Sequence, residues 1–270
     1  MSWARVMVPL AGTAGDAAVL SAAVRAAAPF DAEVSVVFAP ADVADIMPWL
    51  GEGYLGGVQT TAIETLRQAA ATGEARSRAT FEACDYAKKT FVPLQSPVWA
   101  ALSAEARLSD LVVFGDDPAR GRGPLAECFQ QIVADEQRPV LIAREGFEAA
   151  GVVAVAWDGG KEASRAARLA LPLLEKAARV VLLAAPKASS RHFEPERLKA
   201  YYAARGVEAD IEILGEKGEA GGLLLNAVQR VGANLLVAGA FGHPRLQEFI
   251  FGGTTRTLLA AQQPSLFLSH

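Results

Sequence analysis

The stretch Asn234-Leu-Leu-Val-Ala-Gly239 is an apolar run of strand length that ends in a glycine, and it continues through Gly242 to Gly252-Gly-Thr-Thr255. Glycine lets the backbone approach an anion without a Cβ atom in the way. A helix that begins near Thr254 would add unpaired N–H groups and the positive end of its dipole. The stretch therefore predicts a strand, a phosphate-binding turn and a helix, which is a unit of an α/β fold.

The chain repeats this organisation in two halves. Arg5–Gly12 and Val152–Gly159 each form an apolar run that ends in a glycine turn before an Ala-rich segment. Two further pairs match, namely Ser109–Gly115 with Ala233–Gly239, and Arg138–Ala143 with Gln263–Leu268. The interval from Gly115 to Pro139 is 24 residues, and that from Gly239 to Pro264 is 25. A duplication is the economical explanation.

Strands and helices alternate along the second half. Strands are predicted at 152–157, 179–185, 209–214, 234–239 and 265–269, with helices at 161–176, 194–205, 220–231 and 247–261 between them. Apolar strands linked by helical crossovers predict a parallel, doubly wound sheet covered on both faces. The first half repeats the pattern with an insertion at about 40–74. Two domains are therefore expected, at 1–146 and 150–270, separated by a linker near 145–151.

The spacing Gly239-x2-Gly242-x9-Gly252, followed by small hydroxyl residues, resembles the ATP-binding branch of the universal stress protein family. The resemblance covers essentially the whole chain, as a tandem form with two domains in one polypeptide. It implies five-stranded domains of the adenine nucleotide alpha hydrolase-like fold, related by a pseudo-twofold axis through antiparallel last strands. It also implies ATP or AMP as the ligand, with Mg²⁺ accompanying ATP.

The same resemblance assigns a contact set in the second half. Asp158 would accept hydrogen bonds beside the adenine and ribose, at the carboxyl end of the first strand of that half. The other contacts it implies are Ala185 and Pro186 against the base, Gly239 and Gly242 around the ribose and phosphates, and Gly252, Gly253, Thr254 and Thr255 as phosphate donors. Arg245 would add charge, and His243 lies beside the glycine loop. No catalytic residue and no metal ligand are predicted.

One position departs from the family pattern. Gly253 stands where family members have Ser or Thr directly after the third glycine, so the hydroxyls arrive one and two positions later, at Thr254 and Thr255. A backbone anion site tolerates this change better than a specific hydroxyl contact does. The alternative interpretation is that the glycines serve only tight strand–helix turns and packing.

The first half lacks these features. Ala11 takes the place that corresponds to Asp158, and Asp116-Asp117 follows Gly115 where a phosphate would approach. Like charges repel, so this stretch, with Arg120 and Arg122, is interpreted as a solvated charged loop. Nucleotide binding is therefore expected in the second domain only, with the first as structural partner or sensor.

Composition excludes several classes of function. The chain has 270 residues, 51% of them apolar, a net charge of -4 and a pI near 5.5. These values argue against a general nucleic-acid or anionic-membrane surface. The apolar run 180–185 is too short to cross a bilayer, and no secretory signal is expected. Cys84 and Cys128 lack metal spacing, which predicts buried thiols and a cytoplasmic location.

Two other patterns are weak. Gly51-Glu-Gly-Tyr-Leu-Gly56-Gly57 fits the dinucleotide template Gly-x-Gly-x-x-Gly, but it lies inside the insertion rather than after the first strand. It is interpreted as a flexible loop or short lid over the crevice. His192, His243 and His270 are too scattered for a metal site.

The sequence thus predicts an adenine-nucleotide-binding stress-response regulator that acts through the second domain. The alternative is a ligand-independent interaction or scaffold module of the same fold. An enzyme on this sheet is third, with slow ATP hydrolysis at most. An unidentified protein partner is expected, and so is a homodimer of the fused unit.

Overall fold

The computed structural model describes residues 2–40, 56–95, 97–184, 194–215, 217–240 and 252–270. One ten-stranded sheet runs through them, in the spatial order β3-β2-β1-β4-β5-β10-β9-β6-β7-β8. In chain order the strands are β1 (Arg5–Leu10), β2 (Glu33–Phe38), β3 (Lys89–Pro93), β4 (Leu111–Phe114), β5 (Val140–Ile142), β6 (Val152–Trp157), β7 (Arg179–Ala184), β8 (Ala209–Ile213), β9 (Leu235–Gly239) and β10 (Ser265–Ser269).

The strand order is symmetric about the junction between β5 and β10. All other neighbours pair in parallel, whereas β5 and β10 are antiparallel, with Phe267 opposite Leu141 at the centre of the paired residues. Each half therefore has the order third, second, first, fourth, fifth strand, and a pseudo-twofold axis relates the two. The predicted fold of tandem five-stranded parallel units is confirmed.

Helices connect the strands. They are α1 (Asp16–Ala27), α2 (Gly56–Ala83), α3 (Val98–Arg107), α4 (Asp116–Ala119), α5 (Ala126–Ala134), α6 (Lys161–Leu169), α7 (Leu171–Leu174), α8 (Pro195–Ala203), α9 (Ala220–Val231) and α10 (Gly253–Ala260). The helix predicted at 161–176 is divided at Ala170, because Pro172 has no N–H to continue the hydrogen-bond ladder. The helix predicted at 247–261 begins at Gly253, close to the start expected near Thr254.

Two apolar cores cover the two faces of the sheet, and each extends across both halves. One contains Val8, Val155 and Tyr202, and the other contains Phe114 and Leu236. The junction strands contribute to both, because successive side chains of a strand point to opposite faces. Leu141 and Phe267 face the first core, whereas Val140, Ile142, Leu266 and Leu268 face the second. Pairing β5 with β10 thus buries two strands that would be exposed edges in separate domains.

The segment between β5 and β6 packs against both halves. Phe147 is buried, and its carbonyl oxygen accepts a hydrogen bond from Arg25 Nε at 3.1 Å. Asn234 Nδ2 donates to the Glu148 carbonyl oxygen at 2.9 Å. The predicted linker is therefore part of the packed structure, and the domain boundaries at 146 and 150 stay predictions. In the described part of the chain, no helix is both long and apolar enough to cross a membrane.

Candidate functional site

The strand order of the second half reverses between β6 and β9. These two strands pair in parallel, with Val155 opposite Val237, and their further neighbours are β7 on one side and β10 on the other. Ligands of open α/β sheets bind outside the carboxyl ends of the strands at such a point. Asp158 directly follows β6 and Gly239 ends β9, so the fold brings these two predicted site residues to the same crevice.

Asp158 closes the turn between β6 and α6. Its Oδ1 accepts a hydrogen bond from the Gly160 N–H at 2.8 Å, and Gly159 has a left-handed φ of 67°. The side chain of Asp158 is exposed, and within the described residues no donor reaches its Oδ2. Helix α6 then begins at Lys161 without a side-chain cap. A carboxylate acceptor and an uncapped helix N-terminus therefore lie side by side at the crevice.

Gly239 has a packing role of its own. A Cβ atom at this position would lie 2.5 Å from the Ala163 N atom and 2.6 Å from the Glu162 carbonyl carbon. The end of β9 therefore touches the backbone of the first turn of α6, which only a glycine permits. Gly115 is the corresponding residue of the first half, where a Cβ atom would lie 2.9 Å from Val19 Cγ2 on α1. The glycine of the second half is thus required by a backbone contact, whether or not a ligand is bound, whereas that of the first half meets only a side-chain methyl group.

The N-terminus of α10 lies at the same edge of the sheet. The helix leads from the carboxyl end of β9 to the amino end of β10, and these strands are parallel, so it runs opposite to them. Gly252 is its N-cap residue, and among the described residues none caps it with a side chain or lies within 4 Å of a Cβ atom built on Gly252 or Gly253. Thr254 is half-buried and Thr255 is buried. Such a helix N-terminus presents N–H groups that can bind an anion.

Glu219 and Thr257 fix α10 against α9. The Thr257 hydroxyl donates to Glu219 Oε1 at 2.8 Å and also lies 3.1 Å from the Gly253 carbonyl oxygen. A Cβ atom on Gly221 would lie 2.6 Å from Thr257 Cβ, so the two helices are in close contact. The sequence analysis missed these residues, because their importance arises from contacts between segments far apart in the chain.

Five predicted contacts, Ala185, Pro186, Gly242, His243 and Arg245, lie outside the described residues and stay predictions. His192 also lies outside them. The structure therefore places Asp158, Gly239 and 252–255 at one crevice edge.

The corresponding turn of the first half is closed by a different carboxylate. Asp16, in the first turn of α1, is 4% exposed and accepts hydrogen bonds from the Gly12 N–H at 2.9 Å and the Thr13 N–H at 3.2 Å. The hydroxyls of Thr13 and Ser77 donate to it as well, at 2.6 and 3.1 Å. Ala11 does take the place of Asp158, but the first half keeps a buried acid five residues later. All four hydrogen-bond donors to the Asp16 carboxylate are groups of the protein itself.

Helix α2 crosses this turn. A Cβ atom on Gly12, which has a left-handed φ of 74°, would lie 2.4 Å from Gly73 Cα. The loop or short lid expected at 51–57 is wrong for Gly56 and Gly57, the two described residues of that stretch, because they begin the 28-residue helix α2. An open cavity of about 500 Å³ remains beside the contact, lined by Ala11, Gly12, Thr65, Gln68, Ala69, Thr72, Gly73 and Arg76. The backbone of α2 therefore occupies the mouth of the first crevice.

Comparisons with solved structures find the same architecture. A universal stress protein from Archaeoglobus fulgidus superposes with a TM-score of 0.64 at 13% identity, covering 98% of this chain and 95% of that one. A putative universal stress protein from Pseudomonas aeruginosa superposes with a TM-score of 0.53 at 16% identity, covering 99% and 93%. The chain has the universal stress protein fold. No protein-family model matches the sequence, and no significant match is found among curated proteins.

The loop after β4 differs from the solvated charged loop that was expected at this point of the universal stress protein fold. Asp117 and Arg122 do form an exposed ion pair, at 2.6 Å. Asp116 instead contacts two arginines, Arg144 at 2.9 Å and Arg120 at 2.5 Å, of which Arg144 is buried. The expectation is therefore right for Asp117 and wrong for Asp116, because burial of Arg144 requires a counter-charge.

His270 lies beside the start of the predicted phosphate loop. Its Nδ1 is 3.2 Å from the Ala240 carbonyl oxygen, and its own carbonyl oxygen accepts a hydrogen bond from Arg165 on α6. Arg165 also donates to Gln137 Oε1 of the first half at 3.1 Å. His270 is thus half-buried at the edge of the candidate site.

The cysteines are half-buried rather than buried, and neither Cys84 nor Cys128 forms a disulfide. Across the described ranges, no three His, Cys, Asp or Glu side chains are arranged to hold a metal ion.

Proposed function

We propose that this protein binds one adenine nucleotide, in the crevice between β6 and β9, and acts as a stress-response regulator of the universal stress protein type. The observation that carries the proposal is the difference between the two crevices. At β1 and β4 the turn is filled by Asp16 and crossed by α2. At β6 and β9, the described residues leave Asp158 and the N-terminus of α10 accessible.

The residues present fit such a ligand. Asp158 Oδ2 would accept hydrogen bonds from the ribose or the adenine amino group, while Oδ1 keeps the turn closed. The N–H groups at the start of α10 would bind phosphate oxygens, with Thr254 and Thr255 adding hydroxyl donors. Lys161, exposed in the first turn of α6, would add positive charge. Mg²⁺ would accompany ATP and neutralise part of its phosphate charge.

The first test is mass spectrometry of ligand released from the purified protein. We expect co-purified ATP, ADP or AMP. Calorimetry with added ATP should then give a stoichiometry near one. A stoichiometry near two would contradict the single-site proposal, and absence of any nucleotide binding would favour the second candidate.

The second candidate is a ligand-independent interaction module of the same fold. The packing of Gly239 against α6 favours it, because the backbone contact with Glu162 and Ala163 explains this glycine without a ligand. A binding partner captured equally well with and without nucleotide would support this candidate. In either case we expect no enzymatic turnover beyond slow ATP hydrolysis.

Assembly and location remain predictions. The last-strand pairing is already made inside the chain, so a homodimer would use another surface. Light scattering that gives a mass near 28.4 kDa would reject the homodimer. Cys84 and Cys128 form no disulfide, which agrees with a reducing compartment, and we propose the cytoplasm.

A further inference from the structure

The first half holds α10 of the second half through a buried arginine. Arg144 follows β5, and its side chain is 2% exposed. Its Nη1 donates to the Pro264 carbonyl oxygen at 2.6 Å, and its Nη2 to the carbonyl oxygens of Leu258 and Leu259 at 3.1 Å each. Its Nε donates to Asp116 Oδ1 at 2.9 Å. Three of these four acceptors belong to the second half.

A second arginine strengthens this contact. Arg120 Nη2 donates to the Ala261 carbonyl oxygen at 2.8 Å, and its Nε lies 2.5 Å from Asp116 Oδ2. Burial lowers the pKa of Arg144, and the hydrogen bond that it donates to Asp116 opposes that shift. A guanidinium stays protonated at neutral pH, so one carboxylate is shared by two cations that both reach α10.

Two of the acceptors, the carbonyl groups of Leu258 and Leu259, are groups that α10 cannot satisfy itself, and Ala261 directly follows the helix. The last four carbonyls of a helix have no intrahelical donor, and positive charge is favourable at that end. Helix α10 has eight residues and is about 12 Å long. An isolated helix of this length is unstable, so its orientation depends on the contacts that it makes. Arg144 and Arg120 supply those contacts at its C-terminus.

We propose that Arg144 is a positioning residue for the nucleotide site: it orients α10 from its C-terminus so that the N–H groups at Gly253–Thr255 point at the phosphates. This inference rests on the proposed function. A rigid helix that tilts at one end turns its N–H groups by the same angle, and hydrogen bonds to phosphate weaken when they are misaligned. The first half would then take part in binding without touching the ligand.

Two variants and a matched control test the proposal in the full-length protein. Arg144→Lys keeps the charge but cannot reach all four acceptors, and Arg120→Met removes the contact with Ala261. Arg122→Met is the control, because Arg122 pairs only with the exposed Asp117 in the described structure. Two quantities are measured, the ATP affinity by calorimetry and the amide hydrogen exchange of 253–260 in the ligand-free protein.

We expect Arg144→Lys and Arg120→Met to weaken ATP binding about fivefold. Exchange should rise in α10 but not in α8, a helix remote from this contact. The Arg122→Met control should match the wild type in both measurements. Faster exchange in α10 with unchanged ATP affinity overturns the inference and leaves the proposed function standing. Exchange that rises equally in α8 shows a general loss of stability and also overturns it. A wild-type protein that binds no ATP rejects the proposed function and the inference together.

Discussion

The two crevices of this molecule share a strand order but differ in the groups that border them. At β1 and β4, buried Asp16 closes the turn and Gly73 of α2 contacts Gly12. At β6 and β9, exposed Asp158 closes the turn, and no described helix crosses it. The comparison shows that one strand order can carry two different crevice edges. Among the described residues, the two edges differ in the helix that crosses the first and in the placement of one carboxylate.

The contact between Gly12 and Gly73 can be broken directly. Gly12→Ala should lower the free energy of unfolding by about 2–4 kcal/mol, because a methyl group would overlap Gly73 Cα and a left-handed φ is unfavourable for alanine. Urea denaturation measures the loss. Gly121→Ala is the matched control, since Gly121 has a φ of 73° and nothing within 4 Å of its Cβ position.

The control should cost only about 1 kcal/mol, the part due to the backbone conformation. Equal losses of unfolding free energy for Gly12→Ala and Gly121→Ala would mean that α2 moves aside without cost. The contact between Gly12 and Gly73 would then not close the turn after β1.

A second pair compares the glycines that end β9 and β4. Gly239→Ala should destabilise the protein by about 2–3 kcal/mol, because the new methyl group meets the backbone of α6. Gly115→Ala should cost about 1 kcal/mol, since it meets only the movable tip of Val19. Thermal and urea unfolding measure both. If Gly115→Ala is the more damaging change, the contact distances do not control stability here.

The sequence predicts the strands of the second half to within one residue at nearly every end. Strands buried in a parallel sheet are near-continuous apolar runs, so 152–157 and 265–269 are visible from composition alone. The turn at Gly159 is also predictable, because the sequence places it between an apolar strand and an Ala-rich helix. Local patterns therefore account for the fold and for the place of Asp158.

The closure of the first crevice is not visible in the same way. Gly73 meets Gly12 across 61 residues of chain, and no local pattern marks that pairing. Asp116 is equally hidden, since two adjacent acids in a Gly-rich stretch suggest solvent exposure. Its partner Arg144 is buried where it contacts the end of α10 from the other half. These features depend on tertiary contacts, which spacing and composition do not encode.

The nucleotide site proposed between β6 and β9 is tested by removing the carboxylate of Asp158. Asp158→Ala should weaken ATP binding roughly tenfold to a hundredfold, the range for loss of a charge-assisted hydrogen bond of about 1.5–3 kcal/mol. Asp158→Asn keeps an acceptor for the Gly160 N–H and separates loss of charge from loss of the turn. Calorimetry measures both affinities.

The control for Asp158 is Asp117→Ala. Asp116→Ala is unsuitable, because Asp116 contacts Arg144 and Arg120 and thus reaches the second half. Asp117 is exposed and pairs only with Arg122 in the described structure. An Asp117→Ala protein with reduced ATP affinity would place a ligand near the first crevice and contradict the asymmetry.

The smallest expected difference concerns a contact of the helix before the fourth strand of each half with the segment before the fifth strand. In the first half, Glu136 accepts hydrogen bonds from Arg107 Nε and Nη2 at 2.7 and 2.8 Å, and also from the Ser103 hydroxyl. The bond from Arg107, ahead of that from Ser103, holds the pKa of Glu136 below its usual range. In the second half, the neutral hydroxyl of Thr257 binds Glu219 instead. Of these two contacts, only that between Arg107 and Glu136 is an ion pair.

Glu136→Gln should therefore lower the thermal midpoint at pH 7 by about 1–2 °C, because Arg107 is largely exposed and water screens the pair.

A carboxyl whose pKa is lowered in the folded state stabilises that state above the ordinary pKa of about 4.3. The stabilisation is lost as the pH falls through the lowered value, where Glu136 of the wild type gains its proton. Melting curves of the two proteins should thus differ at pH 7 and converge below about pH 4. Glu208→Gln, at an exposed position just before β8, controls for loss of one surface charge and should leave the midpoint at pH 7 unchanged. A Glu136→Gln deficit that persists unchanged in acid would show that the variant acts through packing rather than through the ion pair with Arg107.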